Sequence, residues 1–305
     1  MAGGWNLSDT CMIAIHDFLK RPPVQPFYAV IGHPVAQSKS PLIHNMALKH
    51  NGLPGIYTAI DTPGTAYAFV GKLLGHKMFR GLNVTIPHKS RIMDALDVVD
   101  ALAIEVGAVN TVNPTRTGLA GYNTDVAGFE ETLRPHALWM TGSPAVVLGS
   151  GGAARAAVAS LKEMRVPVAF VVSRKPREIS VNWPSRINGV EVRLIGYEQL
   201  RAHLRESAAV INTTPLGMFP NPGKSPVPFD LTDELKGKVC MDAIYNPLET
   251  HFMKQARNAG AHAVLGGLTM FVEQAAAAFR IWTGRGFPKE EAAEAISKSL
   301  PAAKP

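Results

Sequence analysis

"VVLGSGGAARAAV", residues 146–158, is the stretch on which the fold turns. Val146, Val147 and Leu148 read as a buried strand, Gly149-x-Gly151-x-x-Ala154 as a tight connection, and the alanine-rich run after it as a helix. Strand, glycine loop and helix in that order form the dinucleotide-binding fingerprint, here with alanine in the third position. Gly149 allows the turn, Gly151 lets a pyrophosphate approach the backbone, and Ala154 lets helix and strand pack closely. The helix start then offers N–H groups and partial positive charge to the phosphates. The competing reading is a glycine-rich turn that binds nothing.

The next strand ends in "VVSRKPR", residues 171–177. A dinucleotide unit ordinarily has an Asp or Glu there for the ribose hydroxyls. Ser173, Arg174, Lys175 and Arg177 stand there instead. Cations suit a 2′-phosphate, so these residues favour NADP over NAD, and Arg174 can stack on adenine and pair with phosphate at once. A solvated basic turn would read the same way. "NTTPLGM" (212–218) follows another apolar strand, so its polar groups belong either to the ligand crevice at the strand ends or to an ordinary turn.

Strands and helices alternate on both sides of this centre, as in an α/β fold. Downstream come strands "VPVAFVV", "VRLI", "AAVINTT", "KVCMDAIY" and "HAVLGG", with helices "YEQLRAHL" and "ETHFMKQARNAG". Leu268, Phe271, Val272, Ala275, Phe279 and Trp282 then keep the spacing of a buried helix face, and Pro288 opens a last helix. Upstream, beyond a turn-rich break at 134–144, come strand "FYAVIG", helix "SPLIHNMALKHNG", strand "GIYTAID", helix "YAFVGKLLGH" and strand "RGLNVTI". Two short strands, "GAVNTV" and "GLAGYN", and a helix "DVAGFEETL" complete that series.

The 305 residues suffice for two domains, and 46% apolar with 18% charged residues is ordinary for a globular protein. Cys11 and Cys240 are far apart, which points to a reducing, cytoplasmic setting without a disulfide framework. No apolar run approaches the ~20 residues of a membrane helix. "CMIAI" near the start lacks a basic lead and a cleavage site, so it makes a poor signal peptide. The net charge of +7 is scattered rather than set in an aromatic-laced stripe, which disfavours nucleic acid and fits small anionic ligands. No histidine-rich or cysteine-rich cluster suggests a metal.

Two motifs in the N-terminal half carry chemistry-bearing groups. "HPVAQSKSPLIHN" (33–45) sets Ser38 and Ser40 before a helix, suited to a small carboxylate, or in the case of Ser40 to an N-cap ahead of Pro41. "GLNVTIPHK" (81–89) is a strand that Pro87 stops before Lys89. Asn110 in "AVNT" and Asp125 in "YNTD" occupy polar turns, and Asp125 also suits a helix cap.

With "GAVNTV", "LGSGGAARA", "SRK", "DAIYNPLET" and "GGLTMFVEQAA", these motifs stand in one order from about Tyr28 to Leu300, and in that order the chain resembles the shikimate dehydrogenase family. The resemblance implies two α/β domains with a deep cleft that closes over ligand. A substrate-binding catalytic domain, 25–124 plus 268–305, would receive a Rossmann-type NADP-binding domain, 125–267, after an N-terminal extension, 1–24. It implies reversible NADPH-dependent reduction of 3-dehydroshikimate to shikimate in aromatic amino acid (chorismate) biosynthesis, by a monomer or homodimer. By motif position Ser38 and Ser40 would hold the substrate carboxylate, and Lys89 and Asp125 would flank the reacting C3 oxygen. Thr85, Asn110, Tyr245 and Gln274 would line the rest of the substrate pocket. Gly149, Gly151, Gly152 and Ala153 would carry the pyrophosphate, Ser173, Arg174 and Lys175 the 2′-phosphate, and Gly267 and Met270 would lie by the nicotinamide.

The chemistry suits these residue types. Hydride delivery to a ketone builds charge on its oxygen, so a cation or proton donor must wait there. Gln37, Val126, Thr269 and Glu273 depart from the family pattern. Those departures keep open a quinate/shikimate dehydrogenase using NAD or NADP, and because a fold does not fix its function a ligand sensor on the same fold is a second rival. Retention of both Lys89 and Asp125 argues against the sensor.

Overall fold

A computed structural model describes residues 12–300, which divide into two compact units. The first holds residues 12–124 and 275–298, and the second holds 125–274 and 299–300. Both boundaries fall inside helices, Thr124–Leu133 and Gly267–Thr283.

The first unit is built on strands β1 (Met12–Ala14), β2 (Phe27–Gly32), β3 (Ile56–Asp61), β4 (Phe79–Val84), β5 (Val98–Val99), β6 (Thr111–Thr115) and β7 (Gly118–Tyr122). They form one sheet in the order β1-β3-β2-β4-β6-β7-β5. β1 to β4 run parallel, while β6 lies antiparallel to β4 and β7. All six residues of β2 are buried, as its apolar run requires of a strand covered on both faces. Phe27, Ala29 and Ile31 enter one core cluster, whereas Tyr28 and Val30 enter another with Tyr57 and Phe279. Residues 12–20, expected as a lead-in without a role, supply the edge strand β1 and bury Ile15 and Phe18 from a short helix. Gly81 leaves room for Trp282: a Cβ there would lie 2.5 Å from the indole nitrogen, which donates to the Val112 carbonyl at 3.0 Å.

The second unit carries β8 (Ala145–Leu148), β9 (Val168–Val172), β10 (Arg186–Ile187), β11 (Val190–Ile195), β12 (Ala209–Asn212), β13 (Val239–Asp242) and β14 (Ala263–Leu265). Their order is β10-β11-β9-β8-β12-β13-β14, all parallel except the β10 edge. Counted from β8 without β10, this is the doubly wound order 3-2-1-4-5-6. The order reverses between β8 and β12, which is where such sheets bind ligand.

Local structure departs from the sequence expectations in three places. "YAFVGKLLGH" splits into a 3-10 turn, Gly64–Phe69, and a short helix, Val70–Leu74. The helix after the glycine loop ends at Ser160 rather than near Met164. "RINGV" forms an unexpected hairpin, with Asn188 and Gly189 at φ 48° and 87°. Among the described residues no helix is long and apolar enough to cross a membrane.

Candidate active site

Topology gathers the chemistry-bearing residues of the first unit at one sheet edge. β2, β4 and β7 end there, and β6, being antiparallel, begins there. Ser38 and Ser40 follow β2, Thr85 and Lys89 follow β4, and Asn110 precedes β6. The turn after β4 is held throughout by its backbone. The Thr85 amide donates to Ile31, the Ile86 carbonyl accepts from His33, and the Lys89 carbonyl accepts from Val109 at 2.8 Å. The Ile86–Pro87 peptide is cis. His88 is buried and its Nε2–H donates to the Thr62 carbonyl at 2.5 Å. Lys89 is half-buried.

Ser40 is the first residue of helix Ser40–His50, whose N-cap position is Lys39, so the capping reading of Ser40 gives way to another contact. Its side chain is hydrogen-bonded to the Tyr57 phenol. Tyr57 in turn donates to Asn83 Oδ1 at 2.6 Å, and Asn83 Nδ2 donates to the Asn110 carbonyl and to Thr111 Oγ1, both at 3.2 Å. Asn110 Oδ1 accepts from the Thr124 amide at 2.7 Å and is within 3.1 Å of the Thr124 hydroxyl and 3.0 Å of the Thr111 hydroxyl. A carbonyl oxygen so engaged fixes the amide, with Nδ2 turned to the other side. Tyr57, Asn83, Thr111 and Thr124 were not among the sequence candidates. They join segments up to 28 residues apart and have no local pattern to reveal them. Ser38 Oγ accepts the Ser40 amide at 3.3 Å.

In the second unit the glycine loop leaves β8 at the switch point. Gly149 has φ 107°, and a Cβ there would lie 2.8 Å from Thr213 Oγ1 in the "NTT" turn after β12. Gly151 precedes helix Gly152–Ser160, and a Cβ on it would meet nothing within 4 Å. Ala153 stands in the first turn of that helix, and Ala154 is fully buried against the sheet. This is a backbone cradle of the shape a pyrophosphate requires. After β9, Ser173 is buried and its Oγ accepts the Lys175 amide at 3.1 Å, which shapes the turn. Arg174 is exposed near Tyr197, and Lys175 pairs with Glu178 at 2.9 Å. The residues present therefore fit a dinucleotide with an anionic adenosine end.

The remaining candidates cluster around the loop after β13. Asp242 is fully buried and ties this loop to the "NTT" turn. It accepts from Asn212 Nδ2 and the Ile244 amide at 3.0 Å each, and from Thr250 Oγ1 at 2.6 Å. Burial pushes its carboxyl up to about 6, against the pull of those three donors. The Tyr245 ring lies against Phe271 at 4.4 Å, tilted by 33°, and Gly267 approaches the Ala243 carbonyl so closely that no side chain would fit. Met270 and Gln274 are buried on the same helix, and Gln274 Nε2 donates to the Phe271 carbonyl at 2.8 Å. Gly128 lets helix Thr124–Leu133 approach them, since a Cβ there would lie 2.6 Å from the Met270 carbonyl oxygen. Asp125 is buried in the first turn of that helix, inside it rather than at its cap. Among the described residues no group of three His, Cys, Asp or Glu side chains could hold a metal ion.

Two family models match this chain. The shikimate dehydrogenase substrate binding domain matches residues 30–112, and the shikimate 5'-dehydrogenase C-terminal domain matches residues 267–296. The shikimate dehydrogenase (NADP(+)) of Moorella thermoacetica is 41% identical over 268 residues, covering 85% of this chain and 88% of its own length. The shikimate 5-dehydrogenase of Thermus thermophilus, solved with NADP(H) and shikimate, superposes with a TM-score of 0.78 at 36% identity, over 90% of this chain and 100% of its own. A quinate dehydrogenase of Corynebacterium glutamicum, solved with NAD, gives a TM-score of 0.80 at 27% identity, over 90% and 99%. With a glycine-loop unit of doubly wound order, a hydroxyl-and-lysine edge on the other sheet, and relatives of this identity along most of its length, the chain belongs to the shikimate dehydrogenase family.

Proposed function

We propose that this chain is an NADP-dependent shikimate dehydrogenase, catalysing the reversible reduction of 3-dehydroshikimate to shikimate in aromatic amino acid biosynthesis. The observation that carries the reading is the gathering of Ser38, Ser40, Thr85, Lys89 and Asn110 at one edge of the first sheet. The first unit would bind substrate and the second NADP. Ser38 and Ser40 offer hydroxyls to the substrate carboxylate. By motif position Asn110, its oxygen held by Thr124, would meet a substrate hydroxyl. By motif position Thr85, Tyr245 and Gln274 would meet the ring.

Gly149, Gly151, Gly152 and Ala153 would hold the pyrophosphate, Ser173, Arg174 and Lys175 the 2′-phosphate, and Gly267 and Met270 the nicotinamide end. NADPH supplies a hydride when bound. Lys89 stabilises the charge that develops on the C3 oxygen and gives it a proton, and in the oxidative direction it takes that proton back. By motif position Asp125 would serve as the second catalytic residue beside that lysine.

The Lys175–Glu178 pair partly neutralises the basic turn, which favours a second reading in which NAD is also accepted. The test is steady-state oxidation of shikimate and of quinate, each with NADP+ and with NAD+. Shikimate with NADP+ should give the highest kcat/KM. Dominance of quinate with NAD+ would replace the reading by a quinate dehydrogenase, and tight ligand binding without turnover by a sensor.

A further inference from the structure

Between the basic turn and the glycine loop stands a contact that the reaction itself does not use. The chain after β9 passes through Ser173–Lys175, a short helix and a 3-10 turn, and then buries Trp183 to 8% exposure. The Trp183 indole N–H donates to the Ser150 carbonyl at 3.2 Å. Ser150 lies between Gly149 and Gly151, inside the fingerprint. The Arg155 guanidinium, one turn into the helix that follows, sits 5.2 Å over the Trp183 ring and donates to the Asn182 carbonyl. Burial lowers its pKa, as expected for a guanidinium enclosed by this segment. Two residues of the later segment are thus fastened to two places on the glycine loop and its helix.

We propose that Trp183 and Arg155 are positioning residues for the dinucleotide, holding the 2′-phosphate turn and the pyrophosphate loop at a fixed separation. The inference rests on the NADP reading above and names how that site is kept in register. Two physical effects support it. The Ser150–Gly151 peptide is trans, because the cis bonds among the described residues all precede proline. Fixing the Ser150 carbonyl toward Trp183 therefore turns the Gly151 N–H to the opposite side, and sets the plane of the peptide a phosphate would approach. In addition, a ligand gripped at two points gains from a rigid spacing between them, because the second grip is then intramolecular at high effective concentration. Loosening the tether weakens the two-point ligand and spares a one-point ligand.

The experiment is calorimetric titration of the whole chain and of Trp183→Phe with NADP+ and with 2′-AMP, alongside shikimate kinetics. Trp183→Phe keeps a smaller ring under Arg155 and removes the N–H. NADP+ affinity should fall about tenfold, while 2′-AMP affinity, kcat and the KM for shikimate stay within about twofold of the parent. Arg155→Gln, which removes the guanidinium from the other side of the contact, should reproduce the split. Unchanged NADP+ affinity in both variants, or equal loss for NADP+ and 2′-AMP, overturns the proposal. A parent chain that fails to bind NADP+ would instead overturn the cofactor reading on which it stands.

Discussion

Lys89 enters the site on a backbone tied at Thr85, Ile86, His88 and Lys89 itself, with the His88 ring fastened to the Thr62 carbonyl. Removing the lysine side chain therefore leaves its platform in place. Lys89→Ala should lower kcat for shikimate oxidation by on the order of 10²-fold or more, with an unchanged urea midpoint and unchanged NADP+ affinity. Near-normal turnover would take Lys89 out of the chemistry. Asp125→Asn should lower kcat as well, and unaltered kinetics would leave Asp125 a role only in its helix. Lys89 stood out in the sequence through the family order of the motifs, because a lysine just after Pro87 would otherwise read as a solvated helix start. The orientation of Asn110 was not readable, because it is set by Thr111, Thr124 and, through Asn83, by Tyr57 on another strand. Nor was the partner of Ser40, since a serine before Pro41 resembles a cap until the phenol 17 positions on is seen against it.

Helices and strands show the same division between local and distant causes. Runs such as β2 and β8 declare themselves because burial on both faces demands continuous apolar sequence. The hairpin at Asn188–Gly189 went unread despite its Asn-Gly turn pair, because its two-residue strand β10 is too short to show alternation. Helix-to-helix fit was hidden altogether. Gly128 looks like a flaw in an otherwise ordinary helix until Met270 and Gln274 are placed against it, with the Cβ of an alanine 2.6 Å from one and 3.2 Å from the other. Gly128→Ala should therefore cost about 1–3 kcal/mol by overpacking. It should also lower kcat/KM by displacing residues assigned to the nicotinamide and the substrate. Gly71→Ala is the control, because a Cβ there meets nothing within 4 Å and should raise stability by up to about 1 kcal/mol. Urea titration of both variants with parallel kinetics separates the two effects. Equal behaviour of the pair would show that the close approach does not matter.

Across the whole molecule, each unit buries a titratable side chain, and the two respond to pH with opposite sign. His44, in the first unit, stacks on Tyr57 at 4.3 Å, and neither ring nitrogen has a hydrogen-bond partner. Burial lowers its pKa to about 3. Below the unfolded value of about 6.5 the unfolded chain takes up a proton that the folded one refuses. Stability is therefore lost as pH falls, by about 2 kcal/mol at pH 5. Asp242, in the second unit, is raised to about 6, so between about pH 4 and 6 the folded chain holds a proton that the unfolded one has released. Stability there is lost as pH rises, by up to about 3 kcal/mol, and is level above that range. His44→Phe should gain on the parent as pH is lowered from 7 to 5, and Asp242→Asn should gain on it as pH is raised from 4 to 7. Altered packing or hydrogen bonding in either variant adds an offset independent of pH, so the slope is the readout. The two residues share no partner, so the double variant should show the sum of both slopes. Urea unfolding of the four proteins across pH 4 to 7.5 measures this directly. A variant whose stability runs parallel to the parent at every pH would mean that its residue titrates alike in the folded and unfolded chains, and that its burial carries no electrostatic cost.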